Sequence, residues 1–195
     1  MKLNNRHFIG IVVVVAAIAI TVFRRNNGMV YVTSSIDGKN YLVRNTPSKQ
    51  EAANALSTIN QRILKLISHL MSSRPNENSV RLISRRYRTN RTELSEGKSD
   101  PQYTTYTVNK GESIVFCLSP RSSGGSVYDI NLLMFVALHE LAHIGCKKFD
   151  NHNAEFQAVF RMLLQEAILI GIYQYRDYRQ TPAEYCNLSI SSPGM

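Results

Sequence analysis

Apolar positions divide the chain into one long N-terminal run and a series of shorter elements with different periods. The run from Phe8 to Phe23 carries no charged residue and has basic residues on both sides. Apolar and aromatic residues on either side of Asp37-Gly38 then predict a β-hairpin. Apolar residues three or four positions apart between residues 56 and 70 predict an amphipathic helix, which ends near Pro75.

The second half of the chain predicts two short strands followed by two helices. A turn at residues 109–111 separates the strands, and the second strand, from Ser113 to Leu118, is apolar enough to be buried. Residues 128–145 are apolar on nearly every helical face, which indicates a buried helix. A further helix begins near Asn153, whereas residues 74–111 are polar and the tyrosine-rich tail is mostly irregular. The pattern predicts an α+β domain.

The N-terminal run predicts a membrane anchor. Its sixteen residues would span about 24 Å as a helix, slightly less than a hydrocarbon core of about 30 Å. A cleaved signal peptide is the alternative, with Ala17-Ile18-Ala19 as the processing site, but apolar sequence continues past that site. We therefore expect an anchor at residues 1–27, a globular domain at 28–195, and a single-pass membrane location. Basic residues flank both ends, so the orientation is not indicated.

Charge and cysteine content refine this picture. The formal net charge is +9, and four of these charges belong to residues 1–27. A basic cluster within the polar segment suggests an anion or nucleic-acid patch, although a solvated strand or loop is the alternative; its members are Arg81, Arg85, Arg86, Arg88 and Arg91. The odd count of three cysteines argues against a disulfide framework and favours a reducing environment, with Cys117 and Cys186 as small buried apolar residues.

The motif His139-Glu140-Leu141-Ala142-His143 carries the candidate chemistry. Histidines four apart share one face of a helix, so both imidazoles can bind one zinc ion. Zinc lowers the pKa of a bound water to about 7, and a glutamate beside the first histidine can accept its proton as the water attacks a carbonyl. The same carboxylic acid can then protonate the leaving amine. We therefore predict His139 and His143 as zinc ligands and Glu140 as the catalytic residue.

A catalytic zinc usually has a third protein ligand. We expect His152, because it follows a polar stretch in which the chain can reverse and because it begins the next helix. Glu155, Glu166 and Cys146 are the alternatives. An oxyanion would also need a donor; the candidates are Tyr173, Tyr175, Tyr178, Tyr185 and Arg121.

The segments "SIVFCLSPR", "LMFVALHELAHIG" and "HNAEF" resemble the WLM and SprT-like zinc metallopeptidases over residues 112–165. The resemblance implies a zincin-like fold, in which a small β-sheet packs on the HExxH helix and further helices. It implies zinc held by His139, His143 and His152, Glu140 as acid/base, and Phe156 as the aromatic residue that follows the third histidine. "YTTYTVNKGESIVFCL" and "PAEYC" resemble a subgroup from large nucleocytoplasmic DNA viruses.

The sequence therefore predicts a zinc metallopeptidase that acts on protein or peptide substrates. One alternative is a non-enzymatic membrane or virion protein with a structural zinc site, which closure by Cys146 would favour. Another is a nucleic-acid-associated protease that acts on DNA-bound proteins and docks through its arginine cluster. The sequence indicates neither the oligomeric state nor the substrate.

Overall fold

The computed structural model describes residues 28–87, 91–98, 104–120, 125–147 and 152–191. The predicted anchor at residues 8–23 lies outside these ranges. Among the described residues, no helix combines the length and the apolarity that crossing a bilayer requires.

The predicted hairpin and its following helix are confirmed. Strands β1 (Met29–Thr33) and β2 (Asn40–Arg44) pair antiparallel around the turn that contains Gly38, whose φ of 70° favours glycine. Helix α1 (Lys49–Ser73) follows and packs on both strands. Its buried apolar residues recur at helical spacing, so this face contributes much of the core; they include Leu56, Ile59, Ile63, Leu66 and Leu70.

The first part of the arginine-rich segment is helical, so the expectation of a strand or loop was wrong for Arg81, Arg85 and Arg86, although Arg81 and Arg85 are exposed to solvent as expected. Helix α2 (Asn78–Arg86) buries Val80 and Ile83. Strand β3 (Glu93–Glu96) follows and lies parallel to β2. Tyr87 ends α2, is buried, and donates from its hydroxyl to Asn60 Oδ1 of α1 at 2.7 Å. The buried side chains of Val80, Ile83 and Tyr87 therefore attach this strongly basic segment to the core of the domain.

A mixed five-stranded sheet forms one layer of the domain, in the order β1-β2-β3-β5-β4. Strand β5 (Ser113–Phe116) is parallel to β3 and antiparallel to β4 (Tyr106–Val108), which places β4 at the sheet edge. The two strands predicted around residues 109–111 are thus confirmed. Helices α3 (Ile130–Gly145) and α4 (Ala154–Leu169) pack together, and α3 also contacts α1, α2 and β4. The architecture is α+β, as predicted.

The C-terminal tail is more ordered than its composition suggested. Strands β6 (Ala183–Tyr185) and β7 (Leu188–Ile190) form a separate hairpin. Its two turn residues, Cys186 and Asn187, have φ values of 50° and 67°, as a two-residue hairpin turn with positive φ requires.

A disulfide joins Cys117, just after β5, to Cys186 in this turn. Both cysteines are buried as expected, but they are not separate apolar residues: they form the one pair that three cysteines allow. They are 69 residues apart in sequence, and only the fold brings their Cα atoms to 6.4 Å. The bond attaches the tail to the sheet beside α3.

Candidate metal centre

Helix α3 presents the HExxH motif from a buried position. Asp129 caps the helix, and its side chain accepts hydrogen bonds from the backbone nitrogens of Asn131 and Leu132. The helix buries most of its circumference against α1, α2 and α4, because its residues are apolar on nearly every face. His139 and His143 are one turn apart on the half-exposed face, so both imidazoles point to the same cavity.

His152 joins these two histidines from the segment before α4. One nitrogen of each of His139, His143 and His152 lies within 4.8 Å of the others. The Nε2 atoms of His139 and His152 are 3.0 Å apart, and the three ring centroids are separated by 4.8 to 5.0 Å. Asn153 follows His152 and caps α4 by accepting a hydrogen bond from Phe156 N. The fold therefore brings together the three histidines that the sequence predicted.

The aromatic ring of Phe156 packs against the imidazole rings of all three histidines. Its ring centroid lies 4.9 Å from that of His139, 4.5 Å from that of His143 and 4.6 Å from that of His152. The side chain is fully buried and also contacts Phe160. An apolar shell of this kind restricts the imidazole orientations and limits solvent access to a metal site.

Burial favours the neutral form of the His139 and His143 imidazoles. Burial lowers the pKa of His139 to about 3, helped by repulsion from His143 and His152. Burial, with repulsion from His152, lowers the pKa of His143 to about 4. Neutral imidazole nitrogens have the lone pair that a metal requires. Three imidazole nitrogens within 4.8 Å of one another are a donor set that could hold a zinc ion.

Glu140 lies beside the histidines and is not one of the three converging donors. Its carboxylate is buried, and Oε2 accepts a hydrogen bond from the Thr107 hydroxyl of β4 at 2.7 Å. Burial raises the pKa of Glu140 to about 7, against the opposing effect of the Thr107 hydrogen bond. Sequence reasoning missed Thr107, because a single threonine in a short strand has no distinguishing pattern.

The alternative third ligands have other contacts. Glu166 accepts from Arg74 Nε at 2.6 Å, and its second oxygen lies 2.7 Å from His69 Nε2. Glu155 Oε1 accepts from the backbone nitrogen of Lys147 at 3.3 Å. Cys146 is a buried free thiol and does not belong to the donor group found among the described residues. The geometry therefore favours the open three-histidine arrangement over closure by a thiolate.

Arg86 connects the basic segment to the metal centre. Its Nη1 donates to the carbonyl oxygens of Ile144 at 2.6 Å and Cys146 at 2.7 Å, at the C-terminal end of α3. A cation at this position stabilises the negative end of the helix dipole. Gly145 lies between these carbonyls, and a Cβ atom there would be 3.0 Å from side-chain atoms of both Ile83 and Val159. Helix α2 thus holds the point at which the chain leaves α3 toward His152.

Of the candidate oxyanion donors, the structure brings Tyr185 to the cavity. Its hydroxyl and Thr105 Oγ1 are 2.5 Å apart. Tyr173 and Tyr178 are buried and pack on Phe135, whereas Tyr175 is exposed. Arg121 lies outside the described residues, as does Arg88 of the basic cluster.

The cavity around the histidines has a volume of about 750 Å³. Residues 104–107 form one side, helices α3 and α4 form the floor, and the β6–β7 hairpin forms the remaining wall. A volume in this range accommodates a side chain or a short peptide segment.

Fold and site together define an α+β protein with an HExxH helix and a three-histidine metal-ligand cluster. No family model matches the chain. The uncharacterized protein R325 of Acanthamoeba polyphaga mimivirus is 37% identical over 187 residues, which covers 93% of this chain and 94% of that protein. The chain therefore belongs to the same family as R325.

Shorter matches extend to other viral proteins. Uncharacterized protein 136R of Invertebrate iridescent virus 6 is 38% identical over 85 residues, or 43% of this chain and 47% of that protein. Uncharacterized protein 042R of Invertebrate iridescent virus 3 is 37% identical over 84 residues, or 43% of this chain and 50% of that protein. Among solved structures, Wss1 from Saccharomyces cerevisiae has a TM-score of 0.49 and 22% identity, covering 67% of this chain and 88% of that chain.

Proposed function

We propose that this chain is a zinc metallopeptidase that hydrolyses peptide bonds in a protein or peptide substrate. The observation that carries the proposal is the convergence of three histidine nitrogens within 4.8 Å, beside a buried glutamate, in one cavity. His139, His143 and His152 are the proposed ligands. The resemblance of residues 112–165 to the WLM and SprT-like metallopeptidases supports the same assignment of residues.

Zinc would supply Lewis acidity, which polarises the attacked carbonyl and makes water nucleophilic near neutral pH. The open side of the three-histidine cluster faces the cavity, where a peptide carbonyl can approach. Phe156 and the apolar wall around it would exclude bulk water and so strengthen electrostatic interactions in the site.

Glu140 would move the proton in this reaction. A carboxylate whose pKa is raised to about 7 is suited to accept a proton from the attacking water and to return it to the leaving amine. Thr107 would hold the carboxylate in one orientation through its 2.7 Å hydrogen bond. The proposed catalytic residue is thus held by a strand at the sheet edge, whereas two proposed ligands lie on α3 and the third lies just before α4.

The decisive experiment compares the purified full-length chain in detergent with its Glu140→Gln variant. Both proteins should contain about one zinc per chain, because Glu140 is not among the proposed ligands. Hydrolysis of unfolded protein substrates should fall by about 10²–10⁴-fold in the variant, as expected when a general acid/base is lost. Equal activity in the two proteins, or absence of zinc from the parent, would reject the proposal.

We also propose that residues 8–23 anchor the domain in a membrane, since the run is uncharged and has basic ends. The full-length chain should remain in the membrane fraction at high pH and high salt. Release into the wash, or a mature N-terminus near Ile20, would show that this proposal is wrong.

A further inference from the structure

The β6–β7 hairpin gives the cavity a wall that the proposed chemistry does not require. Tyr185, Leu188 and Ile190 of this hairpin line the cavity, together with Ser189 and Ser191. Leu188 is 55% exposed, so it lies at the open edge of the cavity. Its side chain extends the apolar lining of the cavity to this edge.

The opposite side of the cavity has the same apolar character. Phe135 and Val136 face it from α3, and Phe160 faces it from α4. Among the described lining residues, Glu140 and the three histidines are the only ones with an acidic or basic side chain. A charged side chain that entered this space would lose its hydration without gaining a counter-charge, whereas an apolar side chain would gain burial.

The hairpin is held rigidly in this position. The Cys117–Cys186 disulfide fixes its turn, and the backbone nitrogen of Cys186 donates to the Tyr128 hydroxyl at 2.9 Å. The ring of Tyr185 lies 5.2 Å from that of Tyr128, and its hydroxyl contacts Thr105. A wall fixed at several points does not have to be ordered when a ligand binds, so it can select by shape and polarity.

We propose that the space between the β6–β7 hairpin and Phe135 is a subsite for an apolar side chain of leucine or phenylalanine size, one residue from the cleaved bond. Leu188 is its specificity-determining residue. This inference rests on the proposed peptidase function, because it places the side chain of a substrate peptide beside the histidine cluster. Leu188, Phe135 and Phe160 all line the same cavity, with Leu188 at its open edge.

The test uses four peptides that differ at one position, which carries leucine, phenylalanine, aspartate or lysine. Hydrolysis by the zinc-loaded full-length chain is compared through kcat/KM, and binding of the same peptides is measured on the Glu140→Gln protein. Leucine and phenylalanine should be preferred by about 10–200-fold, the range that burial of a small apolar group allows.

Two leucine variants localise the effect. Leu188→Asp should abolish the preference for leucine and phenylalanine in both assays. It should also raise kcat/KM and binding affinity for the lysine peptide. Leu169→Asp is the matched control, because Leu169 is 73% exposed at the end of α4 and does not line the cavity. Both substitutions are at exposed positions, so the thermal unfolding curves of both variants should match that of the parent.

The outcomes separate the subsite from the chemistry. If all four peptides have the same kcat/KM, the subsite is rejected and the peptidase function is retained. The same conclusion follows if Leu188→Asp and Leu169→Asp have the same kcat/KM values and bind the peptides equally. Binding that depends on Leu188 without hydrolysis of any peptide would support the subsite and reject the peptidase function. Absence of both binding and hydrolysis for all four peptides would overturn both.

Discussion

Two clusters of histidine and glutamate side chains lie at opposite ends of helix α4 and differ in their partners. The metal cluster, named for its proposed role, consists of His139, His143 and His152, with Glu140 in the same cavity. The bridge cluster consists of His69, Arg74 and Glu166, and joins α1 to α4.

In the bridge cluster, charge is paired with opposite charge. Glu166 accepts from Arg74 Nε at 2.6 Å and lies 2.7 Å from His69 Nε2, so both carboxylate oxygens are satisfied. In the metal cluster, imidazole nitrogens converge on one another, with 3.0 Å between Nε2 of His139 and Nε2 of His152. Residue types alone therefore do not distinguish a structural bridge from a metal site, but the partners of each donor atom do.

The largest expected effect separates the two clusters by metal affinity. His152→Ala removes one of three proposed ligands, and zinc affinity should fall by at least about 100-fold, since even loss of an outer partner costs about 10–100-fold. Glu166→Gln should bind zinc as the parent does, because its carboxylate faces Arg74 and His69. Zinc titration against a competing chelator measures both values. Full zinc binding by His152→Ala together with loss in Glu166→Gln would reverse the assignment of the two clusters.

The next effect concerns the carboxylate beside the metal cluster. Thr107→Val keeps the size of the side chain and removes the donor to Glu140, so kcat should fall by about tenfold or more, as for loss of a hydrogen bond to a charged group. Thr107→Ser retains a hydroxyl and should recover most of that loss. Zinc content and KM should change little in either variant. Equal kcat values for the valine and serine variants would show that this hydrogen bond does not position Glu140.

A smaller effect is expected at Arg86, which holds the end of the HExxH helix. Arg86→Gln removes the charged donor to the carbonyls of Ile144 and Cys146 and should lower the free energy of unfolding by about 1–3 kcal/mol. Arg81→Gln, an exposed position on the same helix, should stay within about 0.5 kcal/mol of the parent. Urea denaturation measures both. Equal stabilities would show that Arg86 is a surface residue like Arg81 and does not cap α3.

The sequence predicted the centre of the site better than its surroundings. The apolar HExxH helix, the β1–β2 hairpin and the position of His152 follow from spacing and periodicity, which act over a few residues. Helix α2 was missed because its basic residues obscure a short apolar face made by Val80 and Ile83.

Long-range features were missed for a different reason. The contacts of Thr107 with Glu140 and of Cys117 with Cys186 join residues 33 and 69 positions apart, and no local pattern specifies either pair. The C-terminal hairpin was missed because its turn is Cys186-Asn187 and lacks the glycine that usually marks such turns. The residues that shape the cavity therefore depend on tertiary packing, whereas His139 and His143 depend on helical spacing.

The smallest expected effect tests the bridge cluster through its pH dependence. Burial raises the pKa of Glu166, but hydrogen bonds from His69 and Arg74 outweigh it, and the net pKa lies below the usual value of 4.5. A carboxylate with a lowered folded pKa stabilises the fold above pH 4.5, and this contribution is lost as the pH falls through the folded pKa. Glu166→Gln should therefore be less stable than the parent by about 1–2 kcal/mol at neutral pH, and the difference should shrink below pH 4.5. Urea denaturation of both proteins between pH 3 and pH 7, with chelator present throughout to remove the contribution of zinc, measures this difference. A difference that is constant over this range would show that Glu166 is not held as a carboxylate by Arg74 and His69, and the contrast between the two clusters would fail.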